Sequence, residues 1–425
     1  MNKLLLLLFL LPTIAFGQTT LIPDANFEQA LIDLGYDTGT PDGSVPTANI
    51  SSVDSLYVGF LGISDLTGIE DFTALTFLDC SYNQLTSLDV SNNTALASLI
   101  CYGNQLTNLD VSGAIALTTL YCDDNQLTSL DVSNNNALDD FRCSGNQLTS
   151  LDVSGATGLT WLMCHDNQLT NLDVSNNTAL TFFGCAANQL TSLDVSNNTA
   201  LTFFGCAANQ LTSLDVSNNT ALTYLYCFDN QLTSLDVSNN TALTVLSCQD
   251  NQITYLNVSN NTALTELSCG GNQLTSLDVS NNTALTYLYC QDNQLTSLDV
   301  SNNTTLESLR CHVNQLTCLK LKNGNNINMT YFGATNNPNL TCIEADDEVW
   351  ATANLIYIDT QTSFSEDCNY PTPCGTTGIY ELPPPNKHLL TITDILGRTT
   401  LPKPNTLLFY IYDDGSVEKK IQLER

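Results

Sequence analysis

The chain has 425 residues, with 43 acidic against 11 basic side chains and a net charge of -32. Between Gln18 and Leu309 its only cation is Arg142. Nucleic acid and anionic membrane surfaces, which require basic patches, are therefore excluded as partners, whereas basic or divalent ligands are attracted.

In chain order, residues 1–17 have the features of a secretory signal. Lys3 supplies the charged end, Leu4 to Leu11 the apolar stretch, and Ala15-Phe16-Gly17 a small-residue cleavage site. That stretch is shorter than the ~20 residues needed to cross a bilayer, and no later segment is long enough. The expectation is a secreted or outer-surface protein that does not span the membrane. Residues 18–50 read as an N-terminal cap with one helix, placing Phe27, Leu31 and Leu34 on one face, with Asp24 as N-cap and Gly35 as the stop. Its role is to cover the open end of the repeat array beginning at residue 51. The loop Asp37 to Gly43, "DTGTPDG", reads as Asx turns in preference to a calcium loop.

Residues 51–345 form that array. A diverged unit of 22 residues starts at Val53, and twelve regular units of 21 residues come after it, each marked by a cysteine from Cys80 to Cys311. A looser last turn puts Ala334 in the cysteine position and Asn337 in the asparagine position. A fixed period in the twenties is the signature of a solenoid in which each turn stacks only on its neighbours. About fourteen turns at the ~4.8 Å spacing of adjacent strands give a length on the order of 65 Å. The clearest unit, Leu285 to Thr305, is "LTYLYCQDNQLTSLDVSNNTT". Its halves share one apolar spacing, which predicts two strands per turn on opposite sides. Val, Thr, Asn and Asp disfavour helix, so the array is expected to be mainly β, with parallel sheets. The unit follows L-x-x-L-x-L-x-x-N-x-L with cysteine in the third leucine position. On those residues the array resembles the leucine-rich-repeat proteins.

Residues 346–368, with Trp350, read as a C-terminal cap, and the Pro- and Gly-rich residues 369–386 as a linker. Residues 387–425 read as a separate β module with strands in "HLLTITDIL", "LLFYIY" and "VEKKIQL" and a turn at Asp414-Gly415. This tail holds six of the eleven cations. Through "DILGR" (Asp394 to Arg398) and "FYIYDDGSVEKK" (Phe409 to Lys420) it resembles the C-terminal sorting domain of type IX secretion substrates in Bacteroidetes. The N-terminal "IPDANFEQALIDLGYD" and "ISDLTGIEDFTAL" resemble the start of leucine-rich-repeat proteins exported by those bacteria. The resemblance implies recognition by the type IX machinery, passage across the outer membrane, and release or attachment at the cell surface.

The repeat makes columns. The twelve cysteines point inward as small buried hydrophobes, and in-register neighbours meet disulfide geometry poorly, so reduced core thiols are expected. Cys318, Cys342, Cys368 and Cys374 are outside that column. One or two bridges are expected among them, with Cys342–Cys368 favoured and Cys318–Cys342 as the rival. The asparagine three residues after each cysteine, from Asn83 to Asn314, is expected to satisfy backbone groups of its own and the next turn. The "NNT" sequons fall at a turn that needs Asn anyway. The column Asp89, Asp110, Asp131, Asp152, Asp173, Asp194, Asp215, Asp236, Asp278 and Asp299 faces solvent. Hydrogen bonds within its turns are preferred over calcium as the means of offsetting repulsion. No cofactor is expected, with calcium as the alternative.

Chemistry-bearing motifs are lacking. His165, His312 and His388 occupy separate units, and there is no G-x-S-x-G, H-E-x-x-H, P-loop or C-x-x-C. An enzyme is not expected. The distinctive signal lies where units differ. Strand alternation exposes the residues one and three before each cysteine and the one after it. There stand Phe77, Tyr102, Tyr121, Trp161, Met163, Phe182, Phe203, Tyr224, Tyr226, Phe228, Tyr287 and Tyr289, with Gly184, Ala186, Gly205 and Ala207 expected to leave a shallow dip. Aromatics on an acidic exposed sheet either bind something or stack on one another. The sequence therefore reads as a binding or adhesion module for a protein or glycan. A structural matrix component that takes up calcium is the alternative.

Overall fold

The computed structural model describes residues 17–370 and, in the tail, the strands Leu389–Thr393, Leu407–Tyr412 and Val417–Ile421. Contacts divide the chain into two units, Met1–Gly375 and Thr376–Arg425. The three tail strands form an antiparallel sheet in chain order. Residues 1–16, Asp394 to Arg398, the Asp414-Gly415 turn, Cys374 and His388 lie outside the described residues.

The first unit is a parallel solenoid built on one sheet of fourteen strands, from Ser55–Tyr57 to Tyr331–Gly333. The strands pair one to one without slippage, Leu267 opposite Leu288 and Leu288 opposite Leu309. One rung buries Leu285, Leu288, Cys290, Leu295, Leu298 and Val300, all essentially inaccessible. Each such aliphatic contributes roughly 1.5–3 kcal/mol on burial, but a single rung has no core until its neighbours cover it.

Polar groups at the bend are satisfied by the asparagine column. The Asn188 Nδ2 donates to the carbonyls of Cys185 (3.1 Å) and Cys164 (3.0 Å), and its Oδ1 accepts from the Leu169 amide at 2.9 Å. The partners lie in its own turn and the turn before it, not the turn after. The residue ahead of each asparagine has a left-handed backbone, as at Tyr82, Asp124, Gly145, Asp166, Gly271 and Val313, and so has Phe60 ahead of Leu61 in the first turn. A second buried column runs through the sequons. Asn177 Nδ2 donates to Val153 (2.9 Å) and Ala156 (2.8 Å). The exposed asparagine before it makes a surface bond to the preceding rung, as Asn197 Nδ2 does to Ser175 at 3.2 Å.

The second strand of each turn forms only near the ends. Ser87–Asp89 pairs with Asn108–Asp110, and Ser297–Asp299 with Cys318–Lys320. In the middle of the array the equivalent segments carry no strand. Rungs held at ladder spacing by the main sheet stand apart there, and a cleft of about 570 Å³ opens beside Leu172, Leu193 and Asp194. The aspartates of this side are tied locally, each accepting from the serine amide two residues on, as Ser196 donates to Asp194 at 2.9 Å.

The N-terminal cap contains α1 (Ala25–Asp33), a short α2 (Thr47–Ile50) and an antiparallel pair, Thr19–Leu21 with Ser44–Pro46. The sequence predicts only the first of these helices. Asp24 caps α1 through Asn26 and Phe27, and its other oxygen accepts from the Ser64 amide (2.8 Å) and hydroxyl (2.7 Å), joining cap to first rung. Phe27 and Leu31 are buried, but Leu34 is exposed because the helix ends before it. The loop at Asp42 and Gly43 is held by the buried Glu28 carboxylate, which accepts both amides at 2.6 and 2.7 Å. Asp42 adds the expected Asx turn to Ser44. At the other end, α3 (Glu348–Asn354) is capped by Asp347. A disulfide joins Cys342 to Cys368, the favoured pairing, and Cys318 is also disulfide-bonded. Tyr370 fastens the end by donating to the carbonyl of Cys342 at 2.7 Å.

Two outcomes are expected. Asn188→Ala strands the Leu169 amide inside the bend and removes one of the two asparagine bonds that each of the Cys164 and Cys185 carbonyls accepts, and should lower stability by on the order of 3 kcal/mol, read from the urea midpoint. Acid should act through the aspartate column. Hydrogen bonds from the following serines hold Asp110, Asp152 and Asp194 below the ordinary value of 3.8. A depressed folded pKa stabilises above the unfolded value and is lost as pH falls through the folded one. The melting temperature should therefore hold steady above about pH 4 and drop below it.

Candidate functional site

The exposed face of the main sheet carries two outward columns per strand, three and one residues before each cysteine. Register sets Trp161 beside Phe182, Phe182 beside Phe203 and Phe203 beside Tyr224. The rings use that spacing. Trp161 and Phe182 are 3.7 Å apart at 2°, and Phe182 and Phe203 are 4.0 Å apart at 3°. Phe203 then meets Tyr226 at 5.5 Å. The expected dip is filled: Gly184 and Gly205 are buried, and the rings of Phe182 and Phe203 lie 3.9 and 3.4 Å from where their Cβ atoms would be.

Arg142 closes the other end of this stack. Its guanidinium lies 4.2 Å from the Tyr121 ring and 5.3 Å from Trp161. It also donates twice to Asp140, at 3.1 and 2.9 Å, and the Tyr121 hydroxyl donates to the same carboxylate at 2.6 Å. Burial, then the bond to Asp140 and its charge, push the Tyr121 pKa up to about 12, so the phenol remains a donor.

The sequence-predicted residues fall into three patches. Tyr121, Trp161, Phe182, Phe203, Tyr224 and Tyr226 share the central one, with Met163 on the same strand as Trp161 and Phe228 two residues past the end of the Tyr224–Tyr226 strand. Phe77 and Tyr102 belong to an N-terminal patch, where Phe77 meets Tyr57 at 4.8 Å and Tyr102 meets Tyr82 edge-on at 5.0 Å. Tyr287 and Tyr289 belong to a C-terminal patch with Arg310 and Tyr331. The rungs of Val245 and Glu266 separate it from the centre. Most of the sequence-predicted rings are half-buried, with Tyr224 and Tyr287 exposed, and their neighbours Tyr57, Tyr82 and Tyr331 are exposed as well. Stacked rings spend their faces on each other and turn edges outward.

Sequence reading missed Tyr57, Phe60, Tyr82 and Tyr331. Tyr57 and Tyr331 obey the same alternation, once Val58 and Ala334 are taken as the cysteine positions of the end units. Phe60 and Tyr82 stand two after the cysteine position, where alternation points inward. Their left-handed backbone turns them out, and they stack at 4.4 Å.

Beneath the face runs the cysteine column, all twelve thiols free and buried. Burial pushes the pKa values of Cys164, Cys206, Cys248 and Cys311 up to about 12. His165 pairs with Asp166 at 2.7 Å at the sheet margin. Among the described residues, no group of three or more His, Cys, Asp or Glu is arranged to hold a metal ion, and no helix is long and apolar enough to cross a membrane.

A family model of leucine-rich repeats in two copies matches residues 262–303. Among solved structures, the functional domain of InlJ from Listeria monocytogenes, which includes a cysteine ladder, is similar at 31% identity and a TM-score of 0.73. The match covers 97% of this chain and 100% of that one. An internalin, InlF, of the same organism is similar at 23% identity and a TM-score of 0.61, covering 82% and 97%. YopM, a leucine-rich effector of Yersinia pestis, is similar at 24% identity and 0.54, covering 75% and 88%. The last two show the fold alone. No curated protein matches the chain by sequence.

The raised thiol pKa values and complete burial predict chemical silence. Ellman's reagent at about pH 8 should modify none of the twelve cysteines in the native protein and all twelve in guanidinium.

Proposed function

The chain belongs to the leucine-rich-repeat family, and from that premise we propose that it is an exported, non-enzymatic binding protein that holds a polypeptide against the exposed face of its sheet. The observation carrying this reading is the concentration of aromatic rings on one outward face of a solenoid that is otherwise acidic and polar. Core leucines, the bend asparagine and the aspartate column repeat almost unchanged from unit to unit, whereas the outward columns differ from rung to rung. A face of that kind offers large, rigid, amphipathic contacts at low entropic cost. A polypeptide is favoured over a glycan because sugar rings stack on open aromatic faces, and Trp161, Phe182 and Phe203 have theirs occupied.

The signal-like residues 1–17 and the tail's resemblance to type IX sorting domains support export to the cell surface or medium. The division into cap, solenoid, C-terminal cap, linker and sorting module belongs to the same proposal. A structural matrix role with calcium in the acidic columns is the second reading. It is weaker because each aspartate it would use already accepts a serine amide, as in Asp173 with Ser175.

The test is a binding array of cell-surface proteins and glycans probed with the mature chain, with and without calcium. A calcium-independent protein hit, lost in Trp161→Ala and Tyr226→Ala variants that keep the wild-type melting temperature, is the expected result. Silence on the array together with a melting temperature that jumps on adding calcium would replace the proposal with the structural reading.

A further inference from the structure

The two arginines of the sheet face occupy the same column, and each is flanked by a pair of aromatic rings in the same arrangement. Arg142 lies between Tyr121 (4.2 Å) and Trp161 (5.3 Å). Arg310 lies between Tyr289 (4.6 Å) and Tyr331 (5.1 Å). In both cases one ring comes from the rung before, in the arginine's own column, and the other from the rung after, two positions earlier along the strand. Gly333, opposite Arg310, lets the Tyr331 ring lie inward, its Cε1 being 3.2 Å from where a Cβ would stand.

The difference is the residue two before each arginine. For Arg142 it is Asp140, which takes both guanidinium bonds and the Tyr121 hydroxyl. For Arg310 it is the short, buried Ser308. Among the described residues, no carboxylate pairs with Arg310 and no group accepts from the Tyr289 hydroxyl. Arg310 is the more exposed of the two arginines. A guanidinium fixed by two rings has lost its rotamer freedom before any ligand arrives, and its donors are arranged for a planar bidentate acceptor. In a chain of net charge -32, an arginine without an acidic partner on its own sheet is the exception.

We propose that Arg310, with the Tyr289 hydroxyl, is a carboxylate-binding site, and that a glutamate or aspartate of the bound polypeptide completes it as Asp140 completes Arg142. The inference rests on the reading of this face as a binding surface and adds what its C-terminal patch recognises. The overall negative charge requires that this carboxylate sit among uncharged or basic residues of the ligand, since an acidic run is repelled.

The chain has four arginines, so the Nε–Hε spectrum of the arginine-labelled full chain resolves the site directly. Titration with N-acetylglutamate amide should move the Arg310 signal saturably while Arg142 stays still. The glutamine analogue should do nothing. Ser308→Asp, which rebuilds the Asp140 arrangement beside Arg310, should shift that signal without ligand and abolish the response. Folding of the variant is checked by an unchanged Arg142 signal. An Arg310 signal that ignores the glutamate compound, or responds only to glucuronate, overturns the proposal. The titration needs no natural ligand, so a silent Arg310 beside a successful array hit sinks this site and leaves the binding face standing. A responding Arg310 beside a silent array does the reverse.

Discussion

Stacking one turn on the next at strand spacing leaves a polar backbone bend inside the molecule once per turn, and everything else depends on satisfying it. The asparagine column does so by spanning two rungs, donating to carbonyls of both and accepting an amide from the earlier one. An unpaired buried peptide group costs about as much as a good core contact contributes. The bend can therefore tolerate little variation, and the 21-residue period persists without insertion from Cys80 to Cys311. The thiol beside it is a packing choice, small enough to fit where the bend crowds the core.

A period enforced from within has an outward consequence. Residues at equivalent outward positions are stacked in register at strand spacing, so like side chains meet face to face whether or not a ligand exists. The Trp161–Phe182–Phe203 ladder is the direct result. Stacking hides part of the apolar area that would otherwise be exposed on an acidic molecule, and presents rigid edges. The same register sets charges at ladder spacing, which explains why the aspartate column binds its own serine amides and why Lys320 pairs with Asp299 at 3.7 Å where the column ends.

The two sides of the solenoid differ because one ladder cannot fix both. The main sheet holds fourteen strands at hydrogen-bonding distance. Opposite it the rungs spread, and the second strands persist only near the caps, where the chain ends pin them. The caps use charged atoms for the same purpose: Asp24 ties helix to rung, and Glu28 holds the loop that closes the open end.

Much of this was legible in the sequence, because a repeat writes the same constraint many times. The period, the inward leucines and cysteines, the asparagine at the bend and the alternation that turns Trp161 and Tyr226 outward all follow from spacing alone. What spacing cannot reveal is anything that depends on where a neighbouring rung puts its atoms. The left-handed turn that swings Phe60 and Tyr82 outward, the rings that close over Gly184 and Gly205, and the spreading of the second strands are of that kind. So is the contrast between Arg142, completed by Asp140, and Arg310, left open beside Ser308. Sequence determined which residues face out, since strand alternation is a local property. Only tertiary structure decided which of them are already engaged, since that is settled between rungs 21 residues apart.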